Sequence, residues 1–173
     1  MNQRALSIKG FFVSACIFTA VCVAISNENI YINRTISVPL GFYRMDKKSF
    51  FTPCVGNTVL IYKNKLNGIE QYRVNANTLL KIILAVPGDT VTKQGNKVFI
   101  NGKEAQGMEI FEKDAVGRKI KRTMHYPCTI PEGYYFVGSF CREGYDSRYW
   151  GLCPASAIKG KVRLVYEFKY ICH

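Results

Sequence analysis

Histidine is scarce in this chain, because only His125 and His173 occur among its 173 residues. His173 is the last residue, so a Ser-His-Asp triad would have to use His125 as its base. The sequence also lacks a G-x-S-x-G elbow, a Walker loop, an H-E-x-x-H motif and a C-x-x-C pair. No standard zinc spacing joins His125 to Cys128, and we predict neither a metal nor a cofactor. Cys128 as a nucleophile with His125 as its base stays an alternative, although residues three apart in a Pro-flanked loop need not face one another.

Acidic residues are also few, since 12 Asp and Glu stand against 24 Lys and Arg and the formal net charge is +12 at pH 7. Such an excess suits three kinds of partner: nucleic acid, an anionic membrane surface or an acidic substrate. Hydrophobic residues make up 48% of the chain and charged residues 21%, which is enough apolar surface for a core and excludes a disordered chain. Neither a Gly-X-Y period nor a heptad run occurs, so collagen and coiled-coil folds are excluded too.

One long uncharged run lies near the N-terminus, at residues 10–27. Arg4 and Lys9 precede it, and a basic flank before an apolar run is typical of a secretory signal or of a membrane anchor whose N-terminus stays inside. At about 1.5 Å per residue the run is short for a hydrocarbon core of roughly 30 Å, although snorkelling of the two basic side chains would extend it. Residues 24–26 (AIS) also resemble a signal cleavage site, so the anchor and the cleaved signal both remain alternatives.

Either alternative exports the rest of the chain. We therefore predict two parts: residues 1–28 form a membrane anchor or signal segment, and residues 29–173 form one exported domain. Export separates this domain from cytoplasmic DNA, so we predict no nucleic acid partner despite the positive charge. The basic cluster at residues 113–122 then either faces anionic lipid, at roughly 1 kcal/mol for each well-placed Lys or Arg, or lies in a solvated loop.

The exported part has the pattern of a mainly β fold. Short β-branched or apolar runs predict strands at residues 57–63, 79–86, 90–93, 97–101, 134–140 and 161–168. Gln94-Gly95-Asn96 reads as a hairpin turn, glycine recurs at short intervals, and no long segment shows a clean helical period. We expect a curled sheet or barrel, in which the polar stretch at residues 102–122 is a long loop or ribbon.

A serine and a lysine are the remaining candidates for catalysis. Ser37 precedes Pro39 and Gly41 soon after the apolar run, so its hydroxyl should lie near the membrane surface. Lys81 stands among aliphatic residues, in LLKIIL at residues 79–84. Strand alternation by itself favours a solvent-facing Lys81. The functional interpretation is a desolvated amine whose lowered pKa lets it take the proton of a serine hydroxyl.

Four motifs occur in the order and spacing of a known family. Residues 37–43 (SVPLGFY) are similar to S-x-P-x-G-x-Y, and residues 81–89 (KIILAVPGD) to K-R-x-x-x-x-P-G-D. Residues 98–103 (VFINGK) are similar to a strand that ends in Asn-Gly, and residues 146–151 (DSRYWG) to a D-S-R-x-x-G box. The chain thus resembles the type I signal peptidases, most closely the conjugal-transfer branch of TraF-type peptidases that mature pilin subunits.

This resemblance implies a role for each matching residue. Ser37 would be the nucleophile, with its backbone N–H as an oxyanion donor, and Lys81 would be the general base and later the general acid. The hydroxyl of Thr35 would be a second oxyanion donor, and such a donor is typically worth ~3–4 kcal/mol in the transition state. Three residues of the last box would support the site: Asp146, Ser147 and Arg148.

The chain also departs from the family pattern. Ile82 follows the lysine where the bacterial leader-peptidase branch has Arg. A serine that contacts the catalytic lysine in some members aligns here with Gly144, so Ser139 or Ser147 would have to replace it. Only one apolar N-terminal segment is present, as in the conjugal-transfer branch.

Seven cysteines accompany these motifs, of which Cys16 and Cys22 lie in the apolar run. The exported part holds five, and in an oxidising compartment some of them should pair, although spacing leaves the connectivity open. We predict a disulfide between Cys141 and Cys153, because they flank the box at residues 146–151 and a loop of that size typically gains ~3 kcal/mol.

The implied function is that of a membrane-bound serine endopeptidase on the outer, periplasmic face of a bacterial inner membrane. It would cleave an exported pilin precursor after a small residue, and the same site could join the ends of the pilin into a ring. Two alternatives stay open: a general signal peptidase with many substrates, and a non-catalytic assembly component of a conjugative secretion apparatus. Self-cleaving LexA-like repressors share Ser-Lys chemistry but need a DNA-binding head, which this chain lacks.

Overall fold

The computed structural model describes residues 13–16, 19, 30–46, 51–69, 76–139 and 141–169. Within them lie eleven strands: β1 (Ile30–Asn33), β2 (Gly41–Met45), β3 (Thr58–Tyr62), β4 (Thr78–Ala85), β5 (Thr90–Gln94), β6 (Lys97–Ile100), β7 (Lys103–Glu109), β8 (Cys128–Thr129), β9 (Tyr134–Gly138), β10 (Cys153–Pro154) and β11 (Ile158–Glu167). From residue 30 onward the described residues also contain a four-residue helix, α1 (Ser147–Trp150), and two 3₁₀ turns, Lys63–Lys65 and Ala155–Ala157.

The strands form two antiparallel sheets. The larger has the order β1-β2-β11-β3-β4-β9-β10, and the smaller has the order β7-β6-β5-β8. Val38 and Tyr43, from the β1–β2 region, share a core cluster with Leu60 of β3 and Ile82 of β4. The larger sheet therefore curls over, because β1 and β4 are separated by three strands in its order. The prediction of a mainly β fold is confirmed, as an open curled sheet rather than a closed barrel over the residues described.

Each of the six predicted strands has a counterpart, from β3 to β11, with ends that differ by at most three residues. The predicted hairpin turn is present as well, since Gln94 pairs with Lys97 across Gly95 and Asn96. The structure corrects the prediction at residues 102–122, where β7 occupies the first part and pairs with β6. The strand escaped the sequence pattern because it is a mostly polar edge strand in which only Met108 is buried.

Strand β4 lies in the interior of the larger sheet, between β3 and β9. Its consecutive residues Lys81, Ile82 and Ile83 are all buried, so both faces of the strand are covered. Ile83 belongs to one core cluster and Ile82 to another. A strand covered on both faces has no solvent side for a lysine to reach, and this decides the local environment of Lys81.

At the N-terminus the described residues are 13–16 and 19, all helical, and the Thr19 hydroxyl donates to the Ala15 carbonyl at 2.8 Å. No helix among the described residues is both long enough and apolar enough to span a bilayer. Most of the predicted anchor or signal segment, and the boundary set at residue 28, lie outside the described residues.

Candidate active site

Ser37 lies in the turn that connects β1 to β2. The turn spans residues 34–40, and Ser37 is half-buried within it. Pro39 favours a turn here because its ring fixes φ, and Gly41 opens β2 where a Cβ would stand 2.0 Å from the Tyr166 carbonyl oxygen. The neighbouring Val38 is buried against β3 and β4. Burial of Val38 therefore holds the Ser37 hydroxyl over the strand that carries Lys81.

Lys81 meets this serine from the interior of β4. Its side chain is 3% exposed, and its Nζ donates to Ser37 Oγ at 3.3 Å. The two residues are 44 positions apart in the chain, so the curl of the sheet brings them together. The structure thus resolves the two interpretations of Lys81 in favour of the buried amine.

Burial lowers the pKa of the Lys81 ammonium below its ordinary value of 10.5, and this desolvation is the largest influence on it. The carboxylate of Asp146 opposes the shift by raising the pKa, the guanidinium of Arg148 lowers it further, and Cys141 raises it. A pKa lowered in this way brings the neutral amine, which is able to accept a proton, closer to physiological pH.

A buried ion pair lies beside the lysine. Asp146 and Arg148 are both 0% exposed, and their side chains form a two-pronged pair, with Nε to Oδ1 and NH2 to Oδ2 each at 2.8 Å. Asp146 also caps α1 by accepting from the Arg148 backbone N–H. The guanidinium donates further to the carbonyls of Glu109, Arg142 and Gly144, at 2.7, 2.8 and 2.7 Å. These bonds satisfy both charges without water.

Ser37 and Lys81 both line a cavity of about 480 Å³. Most of its other walls are apolar: Tyr31, Ile32, Leu60, Ile69, Leu79 and Leu80. A hydroxyl and an amine at hydrogen-bonding distance, next to an apolar cleft, can carry out nucleophilic attack with general base assistance.

The model of the signal peptidase family, peptidase S26, matches residues 5–167. The chain belongs to the signal peptidase family. Family membership makes it a serine peptidase and implies an exported protein as its substrate.

Individual relatives fall into two groups. The conjugal transfer protein TraF of Agrobacterium fabrum is 26% identical over 178 residues, covering 97% of this chain and 99% of the relative. Signal peptidase I P of Bacillus subtilis subsp. natto is 26% identical over 147 residues, covering 82% and 68%. A solved signal peptidase I from Enterococcus faecalis has 20% identity and a TM-score of 0.42 over 65% of this chain and 98% of that chain, which is too weak to carry a conclusion.

The three predicted supporting residues of the last box have two different roles in the structure. Asp146 and Arg148 act on the charge of Lys81, as described above. The Ser147 hydroxyl instead accepts from the backbone N–H of Val137 in β9 at 3.0 Å. Ser147 therefore joins α1 to the larger sheet.

Ser139 fills the space in which a side chain at residue 144 would lie. A Cβ added to Gly144 would stand 1.7 Å from Ser139 Oγ and 2.9 Å from Ser139 Cβ. The Ser139 hydroxyl donates to Oδ2 of Asp146 at 2.9 Å. The Ser139 hydroxyl thus bonds the box through Asp146, and a side chain at residue 144 would overlap it.

We expect Gly144→Ala to destabilise the fold by about 1–3 kcal/mol, because its methyl group overlaps Ser139. Gly144 is not in the left-handed region, so this overlap is the source of the strain. Chemical denaturation measures the effect, with Ser139→Gly and the double variant as controls. The double variant should be no less stable than Ser139→Gly alone. A Gly144→Ala protein as stable as the parent would contradict the packing described here.

Thr35 is exposed, and its Oγ1 donates to the side-chain oxygen of Asn33 at 3.0 Å. Thr35 and Ser37 line the same cavity, but in the structure the Thr35 hydroxyl donates its hydrogen bond to Asn33. The sequence analysis missed Asn33, whose buried side chain makes several bonds to the turn. A signal was present, because Asn at the end of a strand commonly bonds the backbone of the following turn.

His125 and Cys128 lie away from this arrangement. His125 is exposed, Cys128 is half-buried at the start of β8, and neither lines the cavity that holds Ser37. Burial raises the pKa of the Cys128 thiol, which disfavours the thiolate that a cysteine nucleophile needs. The Cys128–His125 alternative therefore has no support in the geometry.

The predicted disulfide between Cys141 and Cys153 is wrong, because both are free thiols in the structure. Cys153 is fully buried among the apolar residues of a core cluster, where burial raises its pKa to about 12. Packing, rather than a covalent link, therefore holds this cysteine. The hydrogen bonds of Arg148 to the carbonyls of residues 141, 142 and 144 close the loop instead.

Proposed function

We propose that this chain is a serine endopeptidase that cleaves an exported conjugative pilin precursor by means of a Ser37–Lys81 dyad. The observation that carries the proposal is the buried Lys81 amine at 3.3 Å from the Ser37 hydroxyl, with a lowered pKa. The similarity to a conjugal transfer protein over nearly the full length of both chains favours a pilin precursor. The similarity to signal peptidase I proteins keeps a general signal peptidase as the second candidate.

In this mechanism neutral Lys81 takes the proton of Ser37 as Oγ attacks the scissile carbonyl. The developing oxyanion is stabilised by the backbone N–H of Ser37 and, once it turns away from Asn33, by the hydroxyl of Thr35. Lys81 then returns the proton to the leaving amine, which departs as the new N-terminus of the C-terminal fragment. The other fragment stays esterified to Ser37 until water or another amine releases it.

The release step decides between hydrolysis and ring closure. The precursor's own N-terminus is tethered to the acyl group, so its effective concentration at the ester is high if both ends lie at the same membrane face. Attack by that amine forms a peptide bond, frees Ser37 and closes a ring. Attack by water gives a linear product with a free carboxylate.

An aromatic face beside the site supports attachment to membrane lipid. Ile32 and Phe42 are cross-strand partners, as are Phe42 and Tyr166, so all three point to the same side of the sheet. Phe168 contacts both rings, at centroid distances of 5.1 and 6.2 Å. Ile32, Phe42 and Tyr166 are exposed, border the Ser37 turn and suit a bilayer interface, where aromatic rings are enriched.

The aromatic face adds apolar groups that the basic cluster at residues 113–122 offers to a lesser extent. Arg118 in that cluster pairs with Asp114 at 2.7 Å, so one of its basic charges is offset. Beside the aromatic row, Arg44 and Arg163 are cross-strand partners, so basic and apolar groups occur together there, although Arg163 also pairs with Asp46 at 3.0 Å. We propose that this face keeps the catalytic domain on the outer surface of the inner membrane.

Intact mass of the processed pilin tests the proposed reaction. The peptidase and a small pilin precursor from the same conjugation cluster are co-expressed, and the product is compared with that of a Ser37→Ala strain. Cleavage that depends on Ser37 supports the proposal, and a product one water lighter than the linear peptide with no readable N-terminus identifies a ring. Accumulation of many unrelated exported precursors on loss of the gene would instead favour the general signal peptidase.

Cleavage should rise with pH on a limb that titrates below 10.5. Burial lowers the pKa of Lys81, and only the neutral amine is a base, so activity grows as pH passes upward through the lowered pKa. The initial rate is measured from pH 6 to pH 10 with a fluorogenic precursor peptide in detergent. His125→Ala should leave the profile unchanged. A plateau already reached at pH 6, and lost in His125→Ala, would reverse the assignment of the base.

A further inference from the structure

Asn33 is a buried polar residue at the end of β1, four positions before the nucleophile. Its side chain is 4% exposed. Nδ2 donates to the carbonyls of Thr35, Val38 and Pro39, at 2.8, 2.8 and 3.0 Å. Oδ1 accepts from the Thr35 backbone N–H at 3.2 Å and from its hydroxyl at 3.0 Å. Both ends of one amide therefore hold the turn.

These contacts bracket Ser37 on both sides. Thr35 precedes the nucleophile by two residues, and Val38 and Pro39 follow it directly, so the bonds fix the backbone before and after it. The Ser37 side chain itself makes no bond to Asn33 and stays directed at Lys81. Loss of the amide would leave the buried Val38 carbonyl without its Asn33 donor and allow the turn to relax.

We propose that Asn33 is a positioning residue that sets the attack geometry of Ser37 and holds the Thr35 hydroxyl until substrate arrives. This inference rests on the proposed function, since it concerns the same serine and lysine. Asn33 acts through the turn and touches no reacting atom. Because Oδ1 holds the Thr35 proton in the resting site, the hydroxyl becomes an oxyanion donor only when a more strongly accepting oxygen enters the cavity.

The chain offers a matched control in Tyr43. Its hydroxyl donates to the Pro39 carbonyl at 2.8 Å, which is one of the carbonyls that Asn33 also holds. Tyr43→Phe removes a hydrogen bond from the same turn but leaves Thr35 and Val38 held by Asn33. A purely structural role for Asn33 would make the two variants behave alike.

The experiment compares Asn33→Ala, Asn33→Asp and Tyr43→Phe in the full chain in detergent. The rates are measured with a fluorogenic precursor peptide and expressed per folded molecule. Both Asn33 variants should lose about 100-fold in kcat with little change in KM, the size expected when reacting groups are misplaced by about 1 Å. Asn33→Asp keeps the shape and the Oδ1 acceptor but puts a carboxylate oxygen in place of the donors, so it tests the lost donors and the added charge together, whereas Asn33→Ala removes the amide without adding a charge. Tyr43→Phe should lower stability while kcat stays near that of the parent.

Equal losses of kcat in the Asn33 and Tyr43 variants, or a normal kcat per folded Asn33→Ala molecule, would overturn the proposal. Hydrogen exchange of the peptide spanning residues 34–40 provides a reading that needs no cleavage. Protection there should fall in Asn33→Ala and persist in Tyr43→Phe. If the parent cleaves no precursor, the proposed function has failed, and unchanged exchange in Asn33→Ala would separately reject the positioning role.

Discussion

We expect Lys81→Arg to abolish cleavage even though it keeps a positive charge at residue 81. Arginine stays protonated at every accessible pH, so it cannot take the proton from Ser37. Ser37→Ala and Lys81→Ala should fail equally, because the two side chains act as a unit across their 3.3 Å contact. We expect each loss to exceed about 10⁴-fold in kcat, as when a nucleophile or its base is removed from a serine protease. Single-turnover cleavage of a purified precursor measures it.

The controls separate loss of chemistry from loss of fold. Lys93→Arg makes the same change on an exposed strand position and should leave the rate unaltered. Circular dichroism should give parent-like spectra for Ser37→Ala, because its hydroxyl is replaced without disturbing the buried Val38. Full processing by Lys81→Arg would remove Lys81 from the role of general base. Normal growth and processing in a Ser37→Ala strain would favour the non-catalytic assembly component.

Asp146→Ala should destabilise the protein by about 3–5 kcal/mol, since it leaves the Arg148 guanidinium charged at 0% exposure without its counterion. The measurement is the free energy of unfolding from urea titration. Glu104→Gln is the matched control, because it breaks an ion pair of the same 2.8 Å length between Glu104 and Lys97. The Lys97 side chain is 51% exposed and the Glu104 side chain is 33% exposed. That exposed pair should contribute no more than about 1 kcal/mol.

Asp146→Asn provides a second reading of the same pair. Asparagine can still cap α1 and accept from Ser139, but it lacks the carboxylate that raises the pKa of Lys81. The pH at which the cleavage rate rises should therefore be lower in Asp146→Asn than in the parent, measured per folded molecule. If Asp146→Ala unfolds at the same urea concentration as Glu104→Gln, the buried pair contributes no more to the free energy of unfolding than the exposed one, and the prediction is wrong.

Much of the site could be predicted because its chemistry depends on residue types in a fixed order. Ser37, Lys81 and the box at residues 146–151 each carry a motif, and the turn residues between strands mark the β fold. The direction of Lys81 could not be predicted from alternation. It depends on whether both faces of β4 are covered, and that is set by strands distant in sequence.

The missed features depend on how turns and loops fold back onto neighbouring residues. Asn33 carries a local signal, as an Asn at the end of a strand, but its bonds to Val38 and Pro39 form only when the turn folds back onto it. Ser139 occupies the space that a side chain at residue 144 would need, and only the folded structure shows this. The disulfide prediction failed for the same reason, because spacing along the chain does not reveal that Cys153 is enclosed by apolar side chains.

Burial of Lys81 also links folding to protons. In the unfolded chain this lysine titrates near 10.5, whereas in the folded chain its pKa is lower, so between the two values the unfolded state binds more protons. The free energy of unfolding therefore rises with pH across that window, and below it the native state carries the whole cost of an enclosed ammonium. The residue proposed as the base thus lowers the stability of the folded protein at neutral pH. Lys81→Met, which puts an apolar side chain of similar length in this place, should give an inactive protein with a larger free energy of unfolding than the parent. That difference should become smaller as the pH rises.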